Sequence, residues 1–298
     1  MILCVCLNPT FQSTMLFDSF SLGEVNRAEH HFLDASGKGM NTARILTQLN
    51  ERACLLTHLG GNRKDEMLSL CERDKVRVLY ADSHSEMRTC TTIISGGVCT
   101  ELVQEPYPVG PTTEQDIRTL FTEALKEAKA VIISGTRAPG YSKHLYSDFV
   151  KEAKQAGKFV LLDIKGEDLL TSLPHRPDVI KPNLSEFMQT FFGKTISEQA
   201  DDEALLANVR TKMQELHQSY GISIVLSRGK QDLYLFDGTF SSIPVEHVPI
   251  VNTIGCGDTL SAVLTKELLH AQTLQQATIT ATKYATLNAK SIHPGSIV

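Results

Sequence analysis

Short, unbroken apolar runs alternate with helical segments over the second half of the chain, and that rhythm restricts the fold more than any other feature. Ala130 to Ser134, Phe159 to Asp163, Val179-Ile180 and Ile222 to Leu226 lack polar alternation, as expected of strands covered on both faces. Between them lie segments with helical character. Thr112 to about Lys126 starts with Thr112 and Gln115 spaced as a capping box, Leu145 to Ala156 is closed by Gly157, and Asp201 to Tyr220 follows. Two further helices are predicted from about Asp258 and about Leu274. Such alternation predicts an α/β fold whose mostly parallel, doubly wound central sheet carries helices on both faces.

The first half keeps this rhythm only in part. Leu3 to Leu7 and Ala53 to Leu59 read as core strands, and helices are predicted after Gly39 and over Asp65 to Arg73. Thr14 to Phe17 and His30 to Leu33 read as short exposed strands, and Thr89 to Ser95 with Val98 to Val103 as a hairpin about Gly96-Gly97. A second hairpin, Leu233 to Phe236 with Phe240 to Ile243, turns at Asp237-Gly238. The early pieces do not fit a βαβ unit. They are read as a small β lid inserted at about residues 12–34 and 87–106 of a single domain spanning 1–298. No internal repeat or linker divides the chain.

The net charge of −5 over 298 residues argues against a nucleic-acid partner, which calls for a basic stripe. No run approaches the ~18 apolar residues that span a bilayer. The first residues lack a basic flank and a small-residue cleavage site, so no membrane partner and a cytoplasmic location are expected. The seven cysteines are scattered without a CxxC pair and read as buried thiols in a reducing compartment.

One segment reads either as a common glycine loop capped by Asp or as a phosphate-transfer site. Gly255-Cys256-Gly257-Asp258 precedes the helical run Leu260 to Leu264. Glycines let backbone N–H groups turn toward one point, and a helix N-terminus adds partial positive charge there. Such an anion hole suits a phosphoryl group in transfer, with Asp258 placed to take a proton from an attacking hydroxyl.

Four segments together resemble the ribokinase/phosphofructokinase-B carbohydrate kinases. They are Ser36-Gly37-Lys38-Gly39-Met40-Asn41, Lys181-Pro182-Asn183-Leu184-Ser185-Glu186, Ser227-Arg228-Gly229 and Gly255-Cys256-Gly257-Asp258, in family order and at family-like separations. Leu7-Asn8-Pro9, Leu22 to Arg27, Arg88, Thr100-Glu101 and Glu105-Pro106 resemble the branch of 1-phosphofructokinase and tagatose-6-phosphate kinase. The resemblance implies a ribokinase-like fold and an ATP- and Mg²⁺-dependent kinase acting on a hexose phosphate. It implies Asp258 as general base and the Gly255, Cys256 and Gly257 segment as anion hole. Gln12, Gly37, Lys38, Gly39, Asn41, Ser134 and Gly135 are then expected at the sugar, with Arg27, Arg88 and Lys38 as candidates for its phosphate. Lys181, Asn183, Ser227, Gly229 and Asn288 are expected at the nucleotide, and Asn183 with Glu186 at Mg²⁺ through water. A homodimer through the lid is implied as well, since exposed lid strands leave edges to cover.

The departures from the family pattern lie on the acceptor side. Gln12 stands where most members have an Asp that holds sugar hydroxyls. Cys90 replaces an Asn, and Thr136-Arg137-Ala138-Pro139 replaces a more usual Ser-Leu-Pro-Pro. An amide donates as well as accepts, so Gln12 is expected to alter acceptor choice. Two rival functions stay open: a kinase of an unphosphorylated sugar or nucleoside, and a silent regulator that binds a sugar phosphate.

Overall fold

The computed structural model describes all 298 residues. From the N-terminus the chain runs through β1 (Ile2–Cys6), β2 (Thr10–Phe17), β3 (His30–Ser36), α1 (Lys38–Gln48), β4 (Ala53–Leu59), α2 (Lys64–Arg73) and β5 (Val78–Asp82). The hairpin β6 (Arg88–Ser95) and β7 (Val98–Leu102) follows, then α3 (Thr113–Glu127), β8 (Ala130–Ser134), α4 (Leu145–Gln155), β9 (Phe159–Asp163) and α5 (Gly166–Ser172). The last third holds β10 (Val179–Ile180), α6 (Leu184–Phe192), α7 (Glu203–Tyr220), β11 (Ser223–Arg228), β12 (Gln231–Phe236), β13 (Phe240–Ile243), α8 (Cys256–Leu269) and α9 (Leu274–Ala289).

Nine strands form the central sheet in the order β13-β12-β11-β10-β9-β8-β1-β4-β5. The six pairings from β11 to β5 are parallel, and the two pairings of β12, with β11 and with β13, are antiparallel. Strand alternation sorts the core into two layers. Leu3 and Val5 of β1 pack with Phe121 of α3, Phe149 of α4, Phe187 of α6 and Met213 of α7. Ile2, Cys4 and Cys6 face the opposite way, toward Met40 of α1, Met67 of α2, Val263 of α8 and Ala281 of α9. This is the doubly wound, ribokinase-like α/β fold.

The second sheet has the order β3-β2-β6-β7, with β2 and β6 parallel although 70 residues separate Phe17 from Arg88. Its strands come from the two segments that break the βαβ rhythm. The structure corrects their extent. β2 begins at Thr10, and its first five residues, Thr10 to Thr14, are buried rather than exposed. Four of those five are polar, which hid the strand from a hydrophobicity pattern; their partners come from β3 and β6.

One other expectation is corrected. Thr112 makes no side-chain cap: it is itself in the helical region, and the neighbouring Thr113 hydroxyl donates to Asp82 O at 2.8 Å instead. The capping box forms at Asn183 and Glu186, where the Asn183 side chain accepts from the Glu186 N–H at 2.7 Å and Glu186 accepts from the Asn183 N–H at 3.1 Å. β5 and α5 were not anticipated. One is a half-exposed edge strand, the other has seven residues, and neither leaves a full period to detect.

Candidate active site

The Gly255–Asp258 turn opens α8, with Gly255 as N-cap at φ +89°. A Cβ on Gly255 would run into the backbone of Gly295, so the turn depends on glycine for both its dihedral and its packing. Two buried amides brace the turn from behind. Asn252 Oδ1 accepts from Ile254 N–H at 3.0 Å while its Nδ2 donates to Ile292 O at 2.9 Å. Asn288 Nδ2 donates to Ile254 O at 3.0 Å and reaches Cys256 Sγ at 3.4 Å. The C-terminal residues thus hold the turn; Cys256 N–H donates to Thr253 O at 3.3 Å, and the N–H groups of Gly257 and Asp258 form the positive end of the helix.

Asp258 is buried beside this turn and accepts a 2.8 Å hydrogen bond from Asn41 Nδ2. Burial pushes its pKa up to about 6, and the neighbouring Asp163 carboxylate adds to the rise. Lys38, the Asn41 bond and Lys181 oppose it. A carboxylate poised there is suited to exchange a proton near neutral pH. Cys256 differs. Burial pushes its thiol up to about 11, so it stays protonated and contributes backbone rather than a nucleophile.

A file of alternating charge runs from the turn. Lys38, at the start of α1, lies 3.0 Å from Asp163 and 3.1 Å from Glu186. Lys181 lies 3.1 Å from the other Asp163 oxygen, which also accepts from Ser261 at 2.9 Å. Burial alone would raise Asp163, but Lys181 and Lys38 hold it well below the ordinary carboxylate range. The Lys181 ammonium comes within 3.5 Å of the space a Cβ on Gly257 would fill, so this cation stands directly over the turn.

These groups open onto a cleft of about 810 Å³ between the two sheets. Its lining brings together Gln12, Gly37, Lys38, Asn41, Arg88, Lys181, Asn183, Glu186, Ser227, Gly229, Gly255, Cys256, Gly257 and Asp258. The far end is apolar, with Leu233, Val245, Val248, Ile250, Ala285 and Ala289. A second cavity of about 180 Å³ shares Lys38, Arg88 and Glu186 with the first and adds Ser134, Gly135, Asn8 and Lys165. Ser134 Oγ, Asn8 Oδ1 and Arg88 Nε are buried here without a partner. Arg88 otherwise donates to two backbone carbonyls, of Gln104 at 3.2 Å and Asn8 at 3.3 Å, so its charge is left for another anion.

Three expected residues stand elsewhere. Arg27 is exposed in the loop between β2 and β3 and lines neither cavity. Asn288 lies behind the Gly255 turn as a brace, not in the cleft. Gly39 is buried in α1, where a Cβ would meet Val5 O at 2.6 Å; its role is close helix–strand packing. Asn41 lines the cleft, but its amide is occupied by Asp258, Ser36 and Arg44. Sequence reasoning missed Asp163, and with it Glu198, which accepts from the Gly229 N–H at 3.1 Å at the cleft wall. Asp163 had a signal: it ends a core strand, and ligands of open α/β sheets gather at carboxyl ends of strands.

No three carboxylate, His or Cys groups converge as a cage for a bare cation. Glu186 offers a fixed carboxylate, with one oxygen on Lys38 and the other on the Asn183 N–H. That donor set fits a Mg²⁺ that keeps its waters and rides on nucleotide phosphates.

Comparison with known proteins finds relatives over nearly the whole chain. The profile described as "pfkB family carbohydrate kinase" matches residues 7–297. The chain is 27% identical over 304 aligned positions to tagatose-6-phosphate kinase of Staphylococcus epidermidis, covering 100% of this chain and 94% of that one. Among solved structures, a protein from Thermotoga maritima described as a possible 1-phosphofructokinase superposes with a TM-score of 0.86 at 18% identity, over 98% of this chain and 92% of that one. Escherichia coli phosphofructokinase-2, in complex with substrates and products, gives 0.84 at 20% identity, over 97% and 92%. At those identities the structural likeness is one of fold.

Proposed function

The chain belongs to the pfkB family of carbohydrate kinases, phosphotransferases with a hydroxyl acceptor, and on that premise we propose that it transfers the γ-phosphate of ATP to a hydroxyl of a hexose phosphate. The observation that carries the phosphorylated acceptor is Arg88. Its guanidinium makes no salt bridge and borders both cavities, with the Glu101 carboxylate also lining the larger one, and beside it the partnerless Ser134 Oγ faces the smaller one. Arg is suited to a bidentate grip on phosphate, and Lys38 adds a point charge on the same wall. A 1-phosphofructokinase-like acceptor stands first, followed by tagatose 6-phosphate and fructose 6-phosphate.

In this reading the nucleotide base takes the apolar end of the cleft, its phosphates extending past Gly229, Ser227 and Lys181 toward the Gly255 turn. Asn183 and Glu186 would hold Mg²⁺ through water, which supplies charge neutralisation on the phosphates when bound. Asp258 accepts the proton of the attacking hydroxyl. The Gly255–Gly257 backbone and Lys181 then stabilise the equatorial oxygens of the group in transfer, where fixed donors are most effective. The small sheet acts as a lid that excludes water from the reacting phosphate.

The outer face of that sheet exposes Val98 and Leu102, and the loop carrying Arg27 exposes Leu22 and Val25. An apolar face of this kind calls for a cover, and a second copy of the lid supplies one. The seven unpaired cysteines suit a reducing cytoplasm.

ADP release on a panel of fructose 1-phosphate, fructose 6-phosphate, tagatose 6-phosphate, free hexoses, ribose and a nucleoside tests the assignment. Turnover is expected on at least one hexose phosphate well above the unphosphorylated compounds. Turnover confined to the latter would overturn the acceptor class. No turnover on any would favour a silent binder.

A further inference from the structure

Gln12 is 1% exposed in the middle of β2 and lines the cleft. A carboxamide has two ends of opposite hydrogen-bond character, and which one meets a ligand depends on what holds the other. Here the nitrogen is engaged: Nε2 donates to Thr92 Oγ1 at 2.8 Å. Thr92 is fully buried on β6, two residues beyond Cys90, the register partner of Gln12, and it does not itself line the cleft. With Nε2 turned into the sheet, Oε1 is the polar end left toward the cleft.

We infer that Thr92 is a positioning residue that holds the Gln12 carboxamide with its oxygen toward the acceptor, so that the site recognises a sugar hydroxyl as a hydrogen-bond donor. The inference rests on the kinase reading above and narrows its substrate class. A freely turning amide would present N–H as readily as C=O and would tolerate a carbonyl or an alkylated oxygen at that position. In the observed orientation, with Nε2 on Thr92, the amide meets the cleft as an acceptor only, like an uncharged counterpart of a carboxylate. Acceptors with a free hydroxyl there are bound, and deoxy or O-alkyl analogues are rejected, because a site built around a polar partner discriminates strongly when that partner is missing.

The test is a double-mutant cycle on the best hexose phosphate, reading the KM of the sugar, the KM of ATP and kcat. Thr92→Val should raise the sugar KM about ten-fold, the loss of one well-placed hydrogen bond, and leave the ATP KM unchanged. Thr92→Ser, which keeps the hydroxyl, should stay within about three-fold of wild type. In a Gln12→Ala background Thr92→Val should add nothing, since residues acting through one contact are not additive. Gln12→Glu reads the orientation. A glutamate can take the Thr92 proton and still face the sugar with an oxygen, so it should bind within about three-fold of wild type. The inference is overturned if Thr92→Val behaves as wild type, if it costs as much on Gln12→Ala as on wild type, or if Gln12→Glu loses as much as Gln12→Ala. Should wild type turn over none of the hexose phosphates, the kinase reading fails by itself. The same cycle read by calorimetric binding of the sugar phosphate then decides the role of Thr92.

Discussion

Asn41 Nδ2 donates to Asp258 Oδ2 at 2.8 Å, joining α1 to the start of α8 across 217 residues of sequence. The Asn41 oxygen is itself fixed, accepting from Ser36 Oγ at 3.1 Å and Arg44 Nη1 at 3.1 Å. One carboxylate oxygen of Asp258 is therefore held in place, and the other is left for the acceptor. The bond favours the ionised form against the burial that raises the pKa. Asn41→Ala should lower kcat by about ten-fold and move the acidic limb of the pH profile upward, with the ATP KM unchanged. An unmoved limb would mean that Asn41 supports the fold and not the base.

The pH dependence of the wild type follows from the same carboxylate. A base must be ionised to accept a proton, and Asp258 is pushed up to about 6 by burial and by Asp163. With both substrates saturating, kcat should be level above that pH and fall by about ten-fold per pH unit below it. A rate that stays level down to about pH 5 would remove Asp258 as the titrating base.

Asp163 couples stability to catalysis. It pairs with both Lys38 and Lys181, and its charge raises Asp258. Asp163→Asn leaves Lys181, almost fully buried, without its carboxylate partner. Breaking a buried pair this way costs about 3–5 kcal/mol, measurable by urea unfolding. The same change should move the acidic limb of kcat downward, opposite to Asn41→Ala. Unchanged stability would show that Lys181 is served by other groups.

Arg88→Ala separates the two ligands. Losing one charged partner costs roughly 1.5–3 kcal/mol, or about ten- to a hundredfold in the KM of the sugar phosphate. The ATP KM should hold, because Arg88 on the small sheet also lines the smaller cavity with Ser134 and Asn8, where Ser227 and Gly229 take no part. Equal losses for both ligands would take Arg88 out of acceptor recognition.

Much of this architecture was legible in the sequence where a local pattern carried it. β4, β8 and β9 matched their apolar runs residue for residue, and the Gly255 turn announced itself by two glycines and an acid before a helix. What stayed hidden depends on tertiary contact. In the inner part of β2, Thr10 and Gln12 line the cleft while Ser13 and Thr14, polar as well, do not, so its burial defeats alternation. Asp163 reads as the last residue of a strand until Lys38 and Lys181 arrive from distant segments. Asn288 and Arg27 carried expected roles by resemblance; the first proved to brace a turn and the second to stand on the surface. The capping box at Asn183 and Glu186 fixes a helix start while the same carboxylate reaches Lys38.

Asp258→Asn measures the central claim most directly. The asparagine keeps the size of the side chain and removes the base, so ATP binding by calorimetry should match wild type while kcat on the best hexose phosphate falls by ~10²–10⁴. Wild-type kcat in that variant would contradict the account and leave the buried carboxylate over the glycine turn without a role in transfer.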